Sequence, residues 1–231
     1  MLEKKTAVID GRRVAYRVSG GPGLPVLVII GWGGLIDHYF PLAGELERLG
    51  HPMFLPDLPG FGESGPPVPR HPAEWAAWVD GVARGIVGQP YLLVSHSLGA
   101  RPAAEYLAGE APGCRGTVFV LPWLLSDRCQ TVFWRGVAHL LWPVGPHVFE
   151  EMRWVRNGAL WRGAMSLALP VRAGPQVPCL VLWGRRDAGR WLFPGWRKLG
   201  GEVRRYDWDH SPQLRDTAAL AGVIHEFASR L

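Results

Sequence analysis

A serine with the surroundings of an enzymatic nucleophile lies at position 97. It is the middle residue of Ser95-x-Ser97-x-Gly99, which stands between an apolar segment and a helix-like segment. A sharp strand–turn–helix connection needs small flanking residues and leaves the middle side chain strained and exposed. Ser95 occupies the place where glycine is usual, and it is small enough to keep this interpretation. A helix N-cap serine is the alternative that the same position allows.

A serine hydroxyl becomes a useful nucleophile only when a base removes its proton, so a histidine is required. In chains with this strand–turn–helix pattern the order is serine, acid, histidine. His210 fits that order, because it follows the last predicted strand and precedes the final predicted helix. His225 lies inside that helix and is interpreted as a surface residue. We predict that His210 is the base and later the general acid; a helix-start histidine with a structural hydrogen bond is the alternative.

The imidazole also needs a carboxylate that fixes its tautomer and stabilises its cationic form. Asp187 follows a buried apolar strand and is the predicted acid. Asp127, a few residues past the preceding strand, is the second candidate. Asp207 and Asp209 are sequence neighbours of His210 and are interpreted as surface carboxylates.

Acyl transfer further requires hydrogen-bond donors for a developing oxyanion. The backbone N–H of Leu98, at the start of the predicted helix, is the expected first donor. The expected second donor is the backbone N–H of Trp32, in the loop after the first buried strand. Glycines flank Trp32 at positions 31, 33 and 34, and they allow the backbone to turn and approach closely. A plain glycine-rich connection is the alternative.

Apolar runs alternate with helical periodicity along the chain, which predicts an α/β fold: a mostly parallel sheet with helices on both faces. The start of the chain instead predicts a hairpin that turns at Asp10-Gly11. A helix follows Ser97, although Pro102 suggests that this helix starts late or is kinked. Buried strands are predicted at 26–30, 53–55, 91–94, 118–121 and 180–183, a polar edge strand at 203–206, and amphipathic helices around Leu42, Trp75 and Leu220.

The stretch from 122 to 175 interrupts this alternation with helix-like segments, prolines and five tryptophans. We interpret it as a small helical cap inserted over one end of the sheet. The predicted organisation is therefore a core from residues 1–121, a cap from 122–175 and a second core section from 176–231. A tryptophan-rich cap suggests an apolar substrate pocket, although the same residues could simply form the core of a small domain.

Composition limits the class of function. The 231 residues carry a formal charge of +5, with arginines in short pairs rather than in one basic block. A solvated basic surface explains that balance, and the alternatives are an anionic substrate or an acidic partner such as an acidic carrier protein. No basic–aromatic stripe predicts nucleic-acid binding. No apolar run reaches the roughly 18–20 residues that a membrane span needs, and the start lacks the apolar core of a secretion signal. Three widely spaced cysteines fit a reducing cytoplasm and give no metal-ligand spacing.

Taken together, these motifs resemble those of the α/β-hydrolase superfamily, in particular serine esterases with a short cap. The resemblance rests on four pieces in family order: segment 30–34, segment 57–64, the Ser97 turn, and the loops of Asp187 and His210. It implies an eight-stranded, mostly parallel sheet. It also implies hydrolysis of esters or related acyl bonds through a covalent acyl-enzyme, for which we expect no cofactor.

Three features depart from the family pattern. Ile30 stands where the family usually has a histidine whose side chain supports the oxyanion loop. Ser95 replaces glycine before the nucleophile. The interval from Ser97 to Asp187 is short for the family, which implies a reduced cap. Asp57 and Ser64 match a family loop beside the active-site mouth, where we expect them to hold the loop rather than to react.

The leading hypothesis is an esterase for a small molecule with an apolar acyl or alcohol group. A thioesterase, an esterase for carrier-bound acyl methyl esters, a perhydrolase or haloperoxidase, and a carbon–carbon bond hydrolase would all use the same three residues. Dehalogenases and epoxide hydrolases with an aspartate nucleophile are disfavoured by the serine at position 97. A hydrolase-fold binding protein is the alternative from another class, and the complete set of Ser97, Asp187 and His210 argues against it.

Overall fold

Eight strands form one sheet in the part of the chain that the structure describes. The computed structural model describes residues 2–31, 36–88, 90–124, 173–187, 189 and 195–231. The strands are β1 (Glu3–Ile9), β2 (Arg12–Val18), β3 (Val26–Ile29), β4 (Met53–Pro56), β5 (Tyr91–His96), β6 (Cys114–Val120), β7 (Cys179–Gly184) and β8 (Glu202–Tyr206). The helices are α1 (Phe40–Arg48), α2 (Pro72–Val82), α3 (Ala100–Leu107), α4 (Pro212–Arg215) and α5 (Thr217–Ala228).

The strand order is β1-β2-β4-β3-β5-β6-β7-β8. β2 is antiparallel to both of its neighbours, and the six strands from β4 to β8 in this order are mutually parallel. The predicted α/β-hydrolase fold, with a mostly parallel eight-stranded sheet, is confirmed. Parallel strands share one direction, so their carboxyl ends lie along one edge of the sheet. The loops after β3, β5, β6, β7 and β8 therefore meet there.

The central strands are buried on both faces. Every residue of β3 and β5 is buried, while α1 packs with α5 and α2 packs with α3 to form the covering layers. A strand covered on both faces favours apolar residues at successive positions, which is why the apolar runs in the sequence are nearly continuous. β1 and β8 lie at the two edges and expose most of their residues, so the prediction of an edge strand at 203–206 is confirmed.

The hairpin at the start of the chain turns where the sequence predicts. Asp10 has a φ of 47° and Gly11 a φ of 74°, and β1 pairs with β2 in the register Ile9 to Arg12. Two successive residues in the left-handed region form the tight turn whose twist matches that of the flanking strands, and Asp-Gly is a favoured pair for it.

The predicted helices are present with their apolar faces inward. Leu42 and Leu46 of α1 and Leu220 of α5 are buried. A 3-10 turn over Ser97–Gly99 precedes α3, so that Pro102 is the third residue of the α-helix. The N–H groups of a first turn have no helical partner, and proline is tolerated there. The late start predicted from Pro102 is thus achieved by the 3-10 turn.

The loop after β4 is closed by its own polar groups. Asp57 Oδ2 accepts a hydrogen bond from the Glu63 N–H at 3.0 Å. The Ser64 hydroxyl donates to Asp57 O at 2.9 Å and accepts from the Ala15 N–H at 3.0 Å. Gly62, with a φ of 51°, wraps around the carboxylate so closely that a Cβ would collide with it. These contacts agree with the predicted loop-holding role.

The predicted cap lies almost entirely outside the described residues, since only 122–124 and 173–175 of it are described. The division into two core sections and a cap therefore stays a prediction. No helix in the described ranges combines the length and apolar character needed to cross a membrane. Cys114 and Cys179 are buried free thiols, and the cytoplasmic location also stays a prediction.

The entry into α3 depends on a glycine that packs against backbone. A Cβ at position 99 would lie 2.6 Å from Ile29 O and closer still to Ile30 O. Because these carbonyls belong to β3 and the residue after it, they cannot yield without moving the sheet. We expect Gly99→Ala to lower the free energy of unfolding by about 1–3 kcal/mol, measured by chemical denaturation.

The matched control is Gly44→Ala. Gly44 is exposed within α1, and nothing lies within 4 Å of an added Cβ. Alanine is the better helix former, so this variant should gain up to about 1 kcal/mol. A Gly99→Ala variant as stable as Gly44→Ala would contradict the packing interpretation.

Candidate active site

Ser97 has a strained backbone at the end of β5. Its φ is 55°, in the left-handed region that residues other than glycine rarely adopt. The 3-10 turn and α3 follow directly, so the serine stands at the N-terminal end of a helix. Its carbonyl oxygen accepts a hydrogen bond from the Trp123 N–H at 3.1 Å. This is the strand–turn–helix geometry that the sequence predicts around Ser97, but the expected exposure is wrong, because Ser97 is buried.

The loop after β8 brings the His210 ring to the serine hydroxyl. Nε2 of His210 lies 2.8 Å from Ser97 Oγ, which is hydrogen-bond distance. Asp209 closes this loop, because its Oδ1 accepts from the Ser211 N–H at 2.9 Å and its Oδ2 accepts from Arg215 at 2.7 Å. Two residues that are 113 positions apart in the chain are therefore in direct contact.

Asp187 approaches the other nitrogen of the same ring. Its Oδ2 lies 3.2 Å from His210 Nδ1, which is ion-pair distance, although Nδ1 has no well-aligned hydrogen-bond acceptor. The loop that carries Asp187 is tied to the end of β8. The Arg185 N–H donates to Tyr206 O at 2.9 Å, and the Arg186 N–H donates to Trp208 O at 3.0 Å. These bonds fix where the loop leaves the sheet.

The Asp187 carboxylate is buried and yet favoured in its charged form. Burial alone would raise the pKa of Asp187, but His210, the Gly189 N–H and the Trp123 indole N–H together outweigh burial, and the pKa lies below its ordinary value. The Gly189 N–H also donates to Oδ1 at 2.9 Å, and the Trp123 indole N–H donates to Oδ2 at 3.3 Å. A charged carboxylate beside the imidazole stabilises a cationic ring, so Nε2 can take up a proton from the serine.

One of the two predicted oxyanion donors is described. Leu98 is the middle residue of the 3-10 turn that begins at Ser97, and its N–H belongs to the first turn, where backbone donors favour anions. Trp32 lies outside the described residues. The loop that leads to it does pass against the serine, because a Cβ on Gly31 would lie 3.0 Å from Ser97 Cβ.

The other sequence candidates lie apart from this cluster or outside the described residues. Asp207 is exposed, as predicted, and Asp127 lies outside the described residues. His225, interpreted as a surface residue, is half-buried on α5. Its Nδ1 lies 2.9 Å from His51 Nε2.

Sequence reasoning missed a second histidine, His96, directly before the serine. Its Nε2 lies 3.0 Å from the carbonyl oxygen of His210; a carbonyl only accepts, so Nε2 carries the proton. Its Nδ1 then accepts from the Tyr39 hydroxyl at 2.7 Å, and that hydroxyl accepts from the Gly31 N–H at 3.4 Å. One chain of hydrogen bonds thus joins the loops after β3 and β8 through the end of β5. The available signal was an ionisable residue in an otherwise apolar strand.

The His96 ring is neutral, as this chain of hydrogen bonds requires. Burial lowers the pKa of His96 to about 3, and the neighbouring His210 adds to the effect. Burial likewise raises the pKa of Tyr39, so its hydroxyl stays protonated. A neutral imidazole can donate through one nitrogen and accept through the other, whereas a cationic one can only donate.

Two of the departures from the family pattern have a structural account. Ser95 is fully buried, and its Oγ has no hydrogen-bond partner among the described residues. Ser95 is therefore accommodated before the turn because its side chain is small, and its hydroxyl makes no hydrogen bond to the described residues. Ile30 cannot support the neighbouring loop by a side-chain hydrogen bond, and the Tyr39 hydroxyl takes the Gly31 N–H instead.

Removing the Tyr39 hydroxyl should disturb both stability and the site. Tyr39→Phe leaves the buried Nδ1 of His96 without its donor, so we expect the free energy of unfolding to fall by about 1–3 kcal/mol. The reaction of Ser97 with a fluorophosphonate should also slow several-fold. The control is Tyr106→Phe, which removes a buried hydroxyl contact of the same 2.7 Å length, with Tyr91 at the other end of β5. That variant should lose stability alone; equal reactivity of the two variants would contradict the role of Tyr39.

The neutral state of His96 makes stability depend on pH. The unfolded chain binds a proton near the ordinary pKa of 6.5, whereas the folded chain binds it near 3. The stabilisation is fully present above pH 6.5 and is lost as pH falls toward 3, by up to about 1.4 kcal/mol per pH unit. Denaturation between pH 7 and 5 should therefore show a steeper loss for the wild type than for His96→Asn. Parallel curves would contradict this.

Known proteins with similar sequence or structure include several hydrolases. Lipase 1 of Psychrobacter immobilis is 38% identical over 66 residues, a match that spans 28% of this chain and 20% of the lipase. The epoxide hydrolase VrEH1 of Vigna radiata has a TM-score of 0.74 at 14% identity. The superposition covers 100% of this chain and 99% of the epoxide hydrolase. A thermophilic esterase of Thermogutta terrifontis has a TM-score of 0.71 at 18% identity, covering 99% of this chain and 98% of the esterase. At these identities the two structures establish the fold alone.

A protein-family model described as alpha/beta hydrolase fold matches residues 25–178. The match covers more than half of the chain, including β3 to β6 and the Ser97 turn. The strand order of the sheet agrees with this match. The chain belongs to the alpha/beta hydrolase fold family.

Proposed function

We propose that this protein is a serine hydrolase that cleaves carboxylic esters through an acyl-enzyme intermediate. The observation that carries the proposal is the 2.8 Å contact between Ser97 Oγ and His210 Nε2, with Asp187 3.2 Å from the far nitrogen of the ring. Ser97 is the proposed nucleophile, His210 the base and Asp187 the acid. The similarity to a lipase and the family membership support hydrolysis of an ester bond.

Acylation begins with attack of Ser97 Oγ on the ester carbonyl carbon. His210 Nε2 takes the hydroxyl proton as the new C–O bond forms, and the ring becomes cationic. Asp187 stabilises that cation because it is itself charged and close to Nδ1. The Ser97 side chain meets its base without rearrangement, since the two atoms already lie at hydrogen-bond distance.

The tetrahedral intermediate carries its negative charge on the former carbonyl oxygen. We assign the backbone N–H groups of Leu98 and Trp32 as donors to that oxygen. His210 next gives its proton to the leaving alcohol, and the acyl group stays on Ser97. A water molecule then loses a proton to Nε2 and attacks the acyl carbon. The bond to Ser97 Oγ breaks, Nε2 returns its proton to that oxygen, and the acid is released. Each step transfers a proton or an acyl group, so the proposed reaction requires no metal or cofactor.

The nucleophile separates this proposal from aspartate-nucleophile chemistry in the same fold. Ser97 stands at the turn after β5 with its hydroxyl on the base. The proposed substrate is a small-molecule ester with an apolar acyl or alcohol group; the apolar character is proposed from the five tryptophans of segment 122–175 in the sequence. The acidic carrier protein suggested by the net charge gains no support from the contacts of the described residues, and the proposal does not include it.

Replacing the nucleophile should abolish turnover but not folding. Ser97→Ala is expected to lower kcat for p-nitrophenyl acetate by at least about a thousandfold and to prevent labelling by a fluorophosphonate. The variant should unfold at a similar denaturant concentration to the wild type, because it removes one atom. Intact-mass spectrometry of the labelled protein and steady-state kinetics are the measurements.

The control is Ser95→Ala, which removes the neighbouring buried hydroxyl that has no partner among the described residues. It should keep both labelling and turnover. Burst-phase turnover in Ser97→Ala would contradict the assignment of the nucleophile. A folded wild-type protein that is not labelled would instead favour a hydrolase-fold binding protein.

A further inference from the structure

A tryptophan outside the three proposed catalytic residues contacts all of them. Trp123 lies three residues after β6, and β6 lies between β5 and β7 in the sheet. The backbone turns sharply before it, because Leu121 has a φ of 46°, an uncommon conformation for a branched residue. The Leu121 N–H donates to Leu182 O at 2.9 Å, which holds the turn against β7. The chain is thereby directed across the edge of the sheet toward the site.

Each part of Trp123 meets a different member of the set. Its backbone N–H donates to Ser97 O at 3.1 Å, its indole N–H donates to Asp187 Oδ2 at 3.3 Å, and its ring lies over the His210 ring, with centroids 4.2 Å apart and planes tilted by 34°. The sequence pattern groups Trp123 with the tryptophans of the predicted cap. In the structure, Trp123 instead contacts these three residues at the sheet edge.

We infer that Trp123 is a positioning residue that sets the orientation of Asp187 and His210 relative to Ser97. This inference rests on the proposed function. The indole N–H and His210 Nδ1 approach the same oxygen, Asp187 Oδ2, and the Nδ1 contact is not a well-aligned hydrogen bond. The aspartate is therefore held by the indole and the Gly189 N–H. The imidazole is held by the Trp123 ring packed against it and by its Nε2 contact with Ser97 Oγ.

Gly189 provides an independent observation on the same contact. A Cβ at position 189 would collide with the Nε1 edge of the Trp123 indole. The same residue donates its N–H to Asp187 Oδ1 at 2.9 Å. Only a residue without a side chain lets the indole and the backbone bind the two carboxylate oxygens together. The space for the indole is thus built into the loop that carries the acid.

The test measures how fast a fluorophosphonate labels Ser97, followed by intact-mass spectrometry. Trp123→Phe keeps an aromatic ring beside His210 but removes the donor to Asp187, so labelling should slow about tenfold. Trp123→Ala also removes the stacked ring and should slow labelling about a hundredfold. Both variants should reach the same final stoichiometry as the wild type. With p-nitrophenyl acetate, kcat should fall while KM stays within about twofold.

The matched control is Trp78→Phe, the same substitution at a buried position on α2. Trp78 lies beside the β1–β2 turn, and its indole N–H has no hydrogen-bond partner among the described residues. The Trp78→Phe variant should be labelled at Ser97 at the same rate as the wild type. If Trp123 only filled space, Trp123→Phe would lower the labelled fraction through unfolding and leave the rate unchanged, and that result would overturn the inference.

Gly189→Ala tests the contact from the opposite side and without changing Trp123. The added methyl should displace the indole and slow labelling by a similar factor. In a Trp123→Phe background the same change should cost less than in the wild type, because the donor is already absent. Full additivity of the two rate losses would overturn the inference.

The same assay separates failure of the proposed function from failure of this inference. Absence of labelling in the folded wild type would contradict the proposed function itself. Normal labelling of the wild type together with an unchanged rate in Trp123→Phe would contradict only this inference.

Discussion

The left-handed backbone of Ser97 is the constraint on which the site depends. A non-glycine residue in that region costs free energy, and it persists because the surrounding contacts leave no alternative. Gly99 lies against the carbonyls at the end of β3, and the Trp123 N–H holds the Ser97 carbonyl. The turn therefore presents the hydroxyl at a fixed point, with the helix N-terminus behind it. Every other residue of the site is placed relative to that point.

The parallel sheet explains how such distant residues converge. β5, β6, β7 and β8 are consecutive neighbours, so the loops at their carboxyl ends form one row along the sheet edge. Ser97, Trp123, Asp187 and His210 follow these four strands in the same order. The intervening loops are cross-linked by backbone hydrogen bonds, such as that of the Arg185 N–H with Tyr206 O. A rigid sheet thus supplies preorganisation that flexible loops alone would lack.

Two histidines lie side by side in this site, with ring centroids 4.9 Å apart, and their surroundings give them different roles. His96 is enclosed, and burial keeps it neutral, which suits a link that donates to one loop and accepts from another. His210 is one-third exposed, with a side-chain exposure of 32%, and faces a charged carboxylate. The role proposed for His210 is that of a base, and access to water and a compensating charge both favour that role. Burial and pairing therefore distinguish the structural imidazole of His96 from the proposed base.

The sequence by itself determined the order of strands and helices, the turn at Ser97, and the loops of Asp187 and His210. Those features are local: continuous apolar runs, small residues around one serine, and single polar residues just after strands. The contacts of His96, Tyr39 and Trp123 were decided only by the tertiary structure, as was the contact between His225 and His51. Each of these depends on which strands and helices become neighbours in space, and the order of strands within the sheet, unlike their order along the chain, leaves no local trace in a sequence. A tryptophan after β6 becomes a partner of Asp187 only because the sheet sets β6 between β5 and β7.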